Sequence, residues 1–186
     1  MFSLEERAWQ FAMDAHASIG QRRKYTGLPY ITHPGGVVRK LREVPGVTEA
    51  MLAAGWTHDT VEDVHWVTSA LLAEATSPEV AKIVAFVTKV STSTDGNRAA
   101  RKAIDRAHYA RGTFESQTVK VADLIDNVES IPELDADFAA VYLEEASLLL
   151  DVLTLAEPGL VQLARTVLQQ SLDRLAAISV TSAVAV

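Results

Sequence analysis

The six residues His58-Asp59-Thr60-Val61-Glu62-Asp63 hold the densest set of reactive side chains in the sequence. An imidazole and a carboxylate side by side both need polar partners once buried. The run before them, Ala50-Met51-Leu52-Ala53-Ala54-Gly55-Trp56, is apolar and leads into a core. A divalent cation satisfies both groups at once, and nitrogen plus carboxylate oxygen suits Mn²⁺, Fe²⁺, Zn²⁺ or Co²⁺. Glu62 follows His58 by four positions and Asp63 follows Asp59 by four. On a continuous helix each pair shares a face, one turn or roughly 6 Å apart. Two carboxylates then stand just beyond a metal held by His58 and Asp59, where one of them can take a proton from its water. The competing reading is a solvated acidic helix end on which His58 is incidental.

Three further groups are weaker when taken singly. His33 stands in a loop, Tyr30-Ile31-Thr32-His33-Pro34, where a lone histidine is usually solvated. Lys120, Asp123, Asn127 and Ser130 form a polar stripe beside the apolar stripe of Val121, Leu124, Ile125 and Val128, a pattern that normally marks a solvated helix face. Arg22-Arg23-Lys24 is the densest positive run and reads either as a solvated loop or as a clamp for phosphates. Arg98, Arg101 and Lys102, after the Ser/Thr-rich stretch 91–97, divide in the same way between a reach toward phosphate and a solvated face. No chemistry is assigned to His16, His65 or His108; His16, near Phe11 and Ala12, reads as a core or rim residue.

The elements that must position these groups are helices. Gly and Pro together make up only 15 of 186 residues and alanine 28, a composition that favours helix. Leu4, Ala8, Phe11, Ala12 and Ala15 mark one helix face, opened by a Ser3–Glu6 capping box. Val80, Ile83, Val84 and Val87 mark another, behind Ser77-Pro78 as cap and first-turn proline. Similar periodicity runs through 121–128, 138–153 and 160–175. No stretch alternates like a strand. The expectation is an all-α bundle of about eight to ten helices with no substantial sheet: one domain over 1–178 and a small apolar tail over 179–186 that frays or packs on a partner.

With no cysteine, any metal must be held by His, Asp and Glu. The net charge of −7 argues against a general nucleic-acid binder. No apolar run approaches a membrane span and the N-terminus has no signal-peptide core, so the expected location is the cytoplasm.

In order and together, Gln21–Lys24, Thr26–Pro34, His58–Asp63 and Lys120–Asn127 resemble the HD-domain hydrolase half of the RelA/SpoT homologues. The likeness is strongest to the stand-alone small alarmone hydrolases and covers the chain from about residue 4 to about residue 153. The resemblance implies an HD fold with one Mn²⁺ held by His33, His58, Asp59 and Asp123. Glu62 and Asp63 are then the catalytic pair that positions and activates the attacking water. Arg23 and Lys24 lie at the nucleotide, with Asn127 and Ser130 beside its sugar and 3′-phosphates. The implied reaction removes the 3′-pyrophosphate of guanosine tetra- or pentaphosphate, leaving GDP or GTP. A single domain of this length is expected to degrade the alarmone rather than make it.

Three positions depart from the family pattern: Trp56-Thr57 before His58, Leu124 after Asp123 where a basic residue is common, and Tyr25 as an extra residue before Thr26-Gly27. Two alternatives follow: an HD phosphatase acting on another nucleotide such as NADPH, and a non-catalytic nucleotide-sensing module. The expected partner is a guanine nucleotide, with no nucleic acid and no membrane; self-association is left open.

Overall fold

A computed structural model describes residues 2–184. Among them there is no strand, only an isolated bridge between Arg22 and Pro29. Eleven helical segments follow one another: α1 Leu4–Ser18, α2 Thr32–Leu41, α3 Glu49–Thr57, α4 Thr60–Asp63, α5 Ser69–Ala75, α6 Pro78–Val87, α7 Arg98–Tyr109, α8 Phe114–Val128, α9 Ile131–Leu134, α10 Ala136–Leu150 and α11 Pro158–Val184. Two of these, α4 and α9, are single four-residue turns. The all-α expectation therefore holds.

Local chemistry explains where the helices begin. Ser3 and Glu6 form the reciprocal capping box of α1. Thr48, Thr68, Ser77, Asn97, Thr113 and Asp135 each accept a hydrogen bond from the third backbone N–H of the helix that follows. The backbone of 179–184 continues α11, and residues 185–186 lie outside the described part.

Two expectations fail locally: His33 lies in the first turn of α2 rather than in a loop, and the helix through His58–Asp63 is not continuous. α3 stops at Thr57, His58 is its C-cap, and Asp59 opens α4 with φ −96° and ψ −6°. Thr57 Oγ1 donates to Ala53 O and Thr60 Oγ1 to Thr57 O, local bonds that compete with the helical ladder and bend the chain. Asp63 still donates its N–H to Asp59 O at 2.9 Å, so those two remain one turn apart, whereas His58 and Glu62 belong to different segments.

The central element is α8. Its apolar stripe, Val121, Leu124, Ile125 and Val128, is buried against α2, α6 and α11. Its polar stripe is not solvated either: Asp123 is only 7% exposed, because this face looks onto α2 and the α3–α4 break. α1 packs along α3 and closes the other side. His16 is buried, as its apolar neighbours suggest.

Candidate functional site

Four donor atoms from three parts of the chain meet at the α3–α4 break. His58 Nε2 lies 3.2 Å from His33 Nε2, which the first turn of α2 brings in. Asp59 Oδ2 is 3.0 Å from His58 Nε2 and 3.6 Å from His33 Nε2. Asp123 Oδ1, from α8, is 3.1 Å from His33 Nε2 and 3.6 Å from His58 Nε2. For His33, His58 and Asp59 the donor atoms all lie within 4.8 Å of one another. Ligands at roughly 2.1 Å from one ion stand about 3.0–3.4 Å apart in octahedral or tetrahedral geometry, so these spacings suit a divalent metal.

The orientation of the rings makes the same point. His33 Nδ1 bonds Asp126 Oδ2 at 2.8 Å and His58 Nδ1 bonds Gly55 O at 2.9 Å. Both oxygens only accept, so each Nδ1 carries the hydrogen and each Nε2 presents a lone pair. Two lone pairs aimed at each other need a cation between them, either a metal or a proton. The protein's own charges say the same: burial disfavours the His58 imidazolium, yet the carboxylates of Asp59 and Asp123 overcome it and hold its pKa well above the ordinary value. His33 is also raised, burial being outweighed by Asp123 and Asp126. Burial pushes Asp59 and Asp123 up, but the charge of His58 holds Asp59 down, and Lys120 with both imidazoles does so for Asp123.

A second ring of residues fixes these donors. Tyr30 Oη donates to Asp59 Oδ2 at 2.6 Å. Asn127 Nδ2 donates to Asp123 Oδ1 at 2.7 Å, and half-buried Lys120 donates to Asp123 Oδ2 at 2.9 Å. Asp126, not assigned from sequence, also receives Arg23 at 3.0 Å and Lys40 at 3.3 Å. It approaches α2 where Gly36 has no side chain; a Cβ there would overlap its carboxylate.

The two acids of α4 are held from opposite sides. Gln21 Nε2 donates to Asp63 Oδ2 at 2.8 Å, while Gln21 Oε1 accepts from His16 Nδ1 at 2.6 Å. Burial raises the Asp63 pKa, the charge of Asp59 adds to this, and Gln21 opposes it. Glu62 is gripped by Lys89, through Nζ at 2.7 Å and the backbone N–H at 3.1 Å. Neither Gln21 nor Lys89 was assigned a role from sequence.

Beside the four donors opens a cleft of about 420 Å³ whose lining includes Arg23, Lys24, His33, Asn127, Ser130 and Tyr142. All four residues expected at the nucleotide therefore share one cavity with the His33 imidazole. Tyr25 is accommodated by bridging: its Oη accepts from Lys24 at 2.8 Å and donates to Asp135 at 2.7 Å. Gly27, with φ +69°, turns the loop so that Arg23 N–H reaches Leu28 O. Trp56 anchors to Glu5 through Nε1, and Leu124 is buried in the core.

This arrangement has known relatives. The HD-domain family model matches residues 8–139. The chain belongs to the HD-domain family. Among curated relatives of this HD domain is the probable guanosine-3′,5′-bis(diphosphate) 3′-pyrophosphohydrolase of Synechocystis, 35% identical over 130 residues. That match takes in 70% of this chain but 16% of the relative, so the HD domain spans about a sixth of the length of that protein. The guanosine-3′,5′-bis(diphosphate) 3′-pyrophosphohydrolase MESH1 of Xenopus tropicalis is 34% identical over 126 residues, 67% of each chain. A solved structure of a metazoan SpoT ortholog that hydrolyses ppGpp matches the fold with a TM-score of 0.80 at 22% identity, over 91% of this chain and 96% of that one. No helix among the described residues is long and apolar enough to cross a membrane.

Proposed function

We propose that this HD domain is a Mn²⁺-dependent cytoplasmic hydrolase that removes the 3′-pyrophosphate of guanosine tetra- or pentaphosphate. The carrying observation is the convergence of His33, His58, Asp59 and Asp123 at 3.0–3.6 Å on the edge of the cleft that holds Arg23, Lys24, Asn127 and Ser130. The names of the curated relatives support the substrate class.

When bound by these four residues, the ion supplies Lewis-acid activation of a water and of the phosphoryl group. The protein does the rest. Asp63 is the general base: Gln21 occupies Oδ2, which leaves Oδ1 free to take the water's proton. Its raised pKa moves it toward neutrality, where a base is most effective. Glu62, fixed by Lys89, orients the same water. Asn127 and Ser130 place the sugar end of the substrate, while Arg23 and Lys24 supply positive charge that an acidic chain otherwise lacks. Water adds to the 3′-linked phosphorus, the bond from that phosphorus to the ribose 3′-oxygen breaks, and pyrophosphate and GDP or GTP separate. Every residue in this account comes from one chain.

The test is to load the protein with Mn²⁺, supply guanosine tetraphosphate, and follow GDP and pyrophosphate, with NADPH and other phosphorylated purines alongside. Turnover of guanosine tetraphosphate that disappears in Asp59→Ala and in the double variant Glu62→Gln/Asp63→Asn is expected. A protein that binds one metal per chain and releases phosphate only from NADPH or another nucleotide refutes the substrate. Binding without turnover of any nucleotide makes it a sensor.

A further inference from the structure

His16, in the last turn of α1, is 2% exposed and belongs neither to the four donors nor to the lining of the cleft. Its setting follows from how α1 ends. Gly20, with φ +62°, turns the chain back on itself. The Gln21 N–H then donates to His16 O at 3.0 Å and the Gly20 N–H to Ala17 O at 2.9 Å, the paired bonds of a Schellman stop. Gln21 is thereby folded against the turn of helix it has just left, and its side chain meets the His16 ring.

The bond between the two side chains has a fixed direction. Asp63 Oδ2 accepts from Gln21 Nε2 at 2.8 Å, so the amide oxygen points the other way, to His16 Nδ1 at 2.6 Å. An amide oxygen only accepts, so Nδ1 carries the hydrogen and Nε2 of the neutral ring is a bare lone pair. Burial lowers the His16 pKa, although Gln21 opposes it, and this favours the neutral ring. Nε2 is buried and meets no hydrogen-bond partner among the described residues. A ring that served packing alone would carry that cost with nothing to offset it. The ring lies against Tyr30, centroids 4.7 Å apart, which fixes its plane.

We propose that His16 is a positioning residue of the reaction centre: it clamps Gln21 at the backbone and at the amide oxygen, so that Gln21 Nε2 holds Asp63 Oδ2 and leaves Oδ1 free in one orientation. A glutamine bound only through its nitrogen can swing with the carboxylate it holds; bound at both ends it cannot, and a base so held keeps its aim. His16 itself touches no reacting atom. That Asp63 acts on a water rests on the hydrolytic reading above; the clamp is a matter of bonds within the protein.

Two substitutions of nearly equal shape separate the clamp from packing. His16→Asn can put an amide N–H where Nδ1–H stood, and His16→Leu offers no donor. Both lose the ring against Tyr30, so any change in KM for guanosine tetraphosphate or in Mn²⁺ affinity should be shared. The kcat should fall about 10- to 100-fold in His16→Leu and recover to within about threefold of wild type in His16→Asn. Equal kcat in the two folded variants overturns the proposal. The second readout is nuclear magnetic resonance of the metal-free, nitrogen-15-labelled protein. Wild type is expected to carry the hydrogen on His16 Nδ1 and to protect the Gln21 side-chain amide from exchange. That protection should vanish in His16→Leu and persist in His16→Asn. A hydrogen on Nε2, or an equally protected amide in His16→Leu, overturns the proposal. If His16→Leu does not fold, Gln21→Met, which deletes the clamped amide, decides: a similar fall in kcat is expected, and a kcat within about threefold of wild type overturns the clamp. In a wild-type protein that cleaves no nucleotide the hydrolytic reading falls, and the resonance measurements alone decide the clamp.

Discussion

Replacing Asp126 by Asn removes one negative charge and little volume. Asp126 accepts from His33 Nδ1 at 2.8 Å, from Arg23 at 3.0 Å and from Lys40 at 3.3 Å, and its side chain is 11% exposed. Burial pushes its carboxyl up, but His33, Lys40 and Arg23 together hold it down at about 2. Set against an ordinary 3.8, that depression corresponds to about 2 kcal/mol in favour of the charged form, at about 1.4 kcal/mol per pH unit. The folded carboxyl lies below its unfolded value, so this stability is present above about pH 4 and disappears as pH falls toward 2. Asp126→Asn should therefore lose about 2 kcal/mol at pH 7, with a shallower acid limb in its stability profile. An asparagine whose oxygen still accepts from His33 and Arg23 turns its amide hydrogens toward Lys40, so the Lys40 contact becomes repulsive, ring orientation also suffers, and Mn²⁺ affinity should fall about 10- to 100-fold. Urea unfolding at pH 7 and pH 3, with Mn²⁺ titration followed by electron paramagnetic resonance, measures both. If the variant keeps Mn²⁺ affinity within twofold and loses less than about 0.5 kcal/mol, Asp126 does not position His33.

Gly36→Ala attacks the same contact from the α2 side, since its Cβ meets the Asp126 carboxylate; it should cost about 1–3 kcal/mol and weaken Mn²⁺, read by thermal unfolding with and without metal. Because His33 and His58 have raised pKa values in the protein alone, the metal-free form should be most stable below about pH 6.5 and lose stability as pH climbs through those values. Added Mn²⁺ needs the neutral rings, so the gain in Tm on adding it should grow from pH 6 to pH 8, and a gain that shrinks refutes competition between proton and metal. Buried Gln117 donates to Ala110 O and Gly112 O and accepts from Leu155 N–H. Gln117→Leu should then cost about 2–4 kcal/mol in chemical unfolding while leaving Mn²⁺ affinity unchanged.

Much of this architecture is legible in local chemistry. The Ser3–Glu6 box and Ser77-Pro78 start α1 and α6 where their side chains say they must, because a cap is a matter of three or four residues. The break at His58–Asp59 is not legible, because it depends on threonine side chains bonding back to their own backbone. The polar stripe of α8 looks like a wet surface until α2 is laid over it, and no short-range pattern reveals that packing. Asp126 stands inside the recognised Lys120–Asn127 segment, yet its partners are 86 to 103 positions away. Gln21 and Lys89 escaped for the same reason: each acts on an acid of α4 from a loop that only tertiary folding brings near.

The helix Phe114–Val128 packs the core with one stripe and fastens the reactive histidines with the other. Inserting or deleting one residue in its middle turns everything downstream by about 100° around the axis. Asp123 and Asp126 would then swing toward the oil of the interior, and Leu124 and Ile125 toward the ions. A lesion of that sort cannot spoil the cluster of donors and spare the fold, so drift in this helix is confined to substitutions that respect both faces.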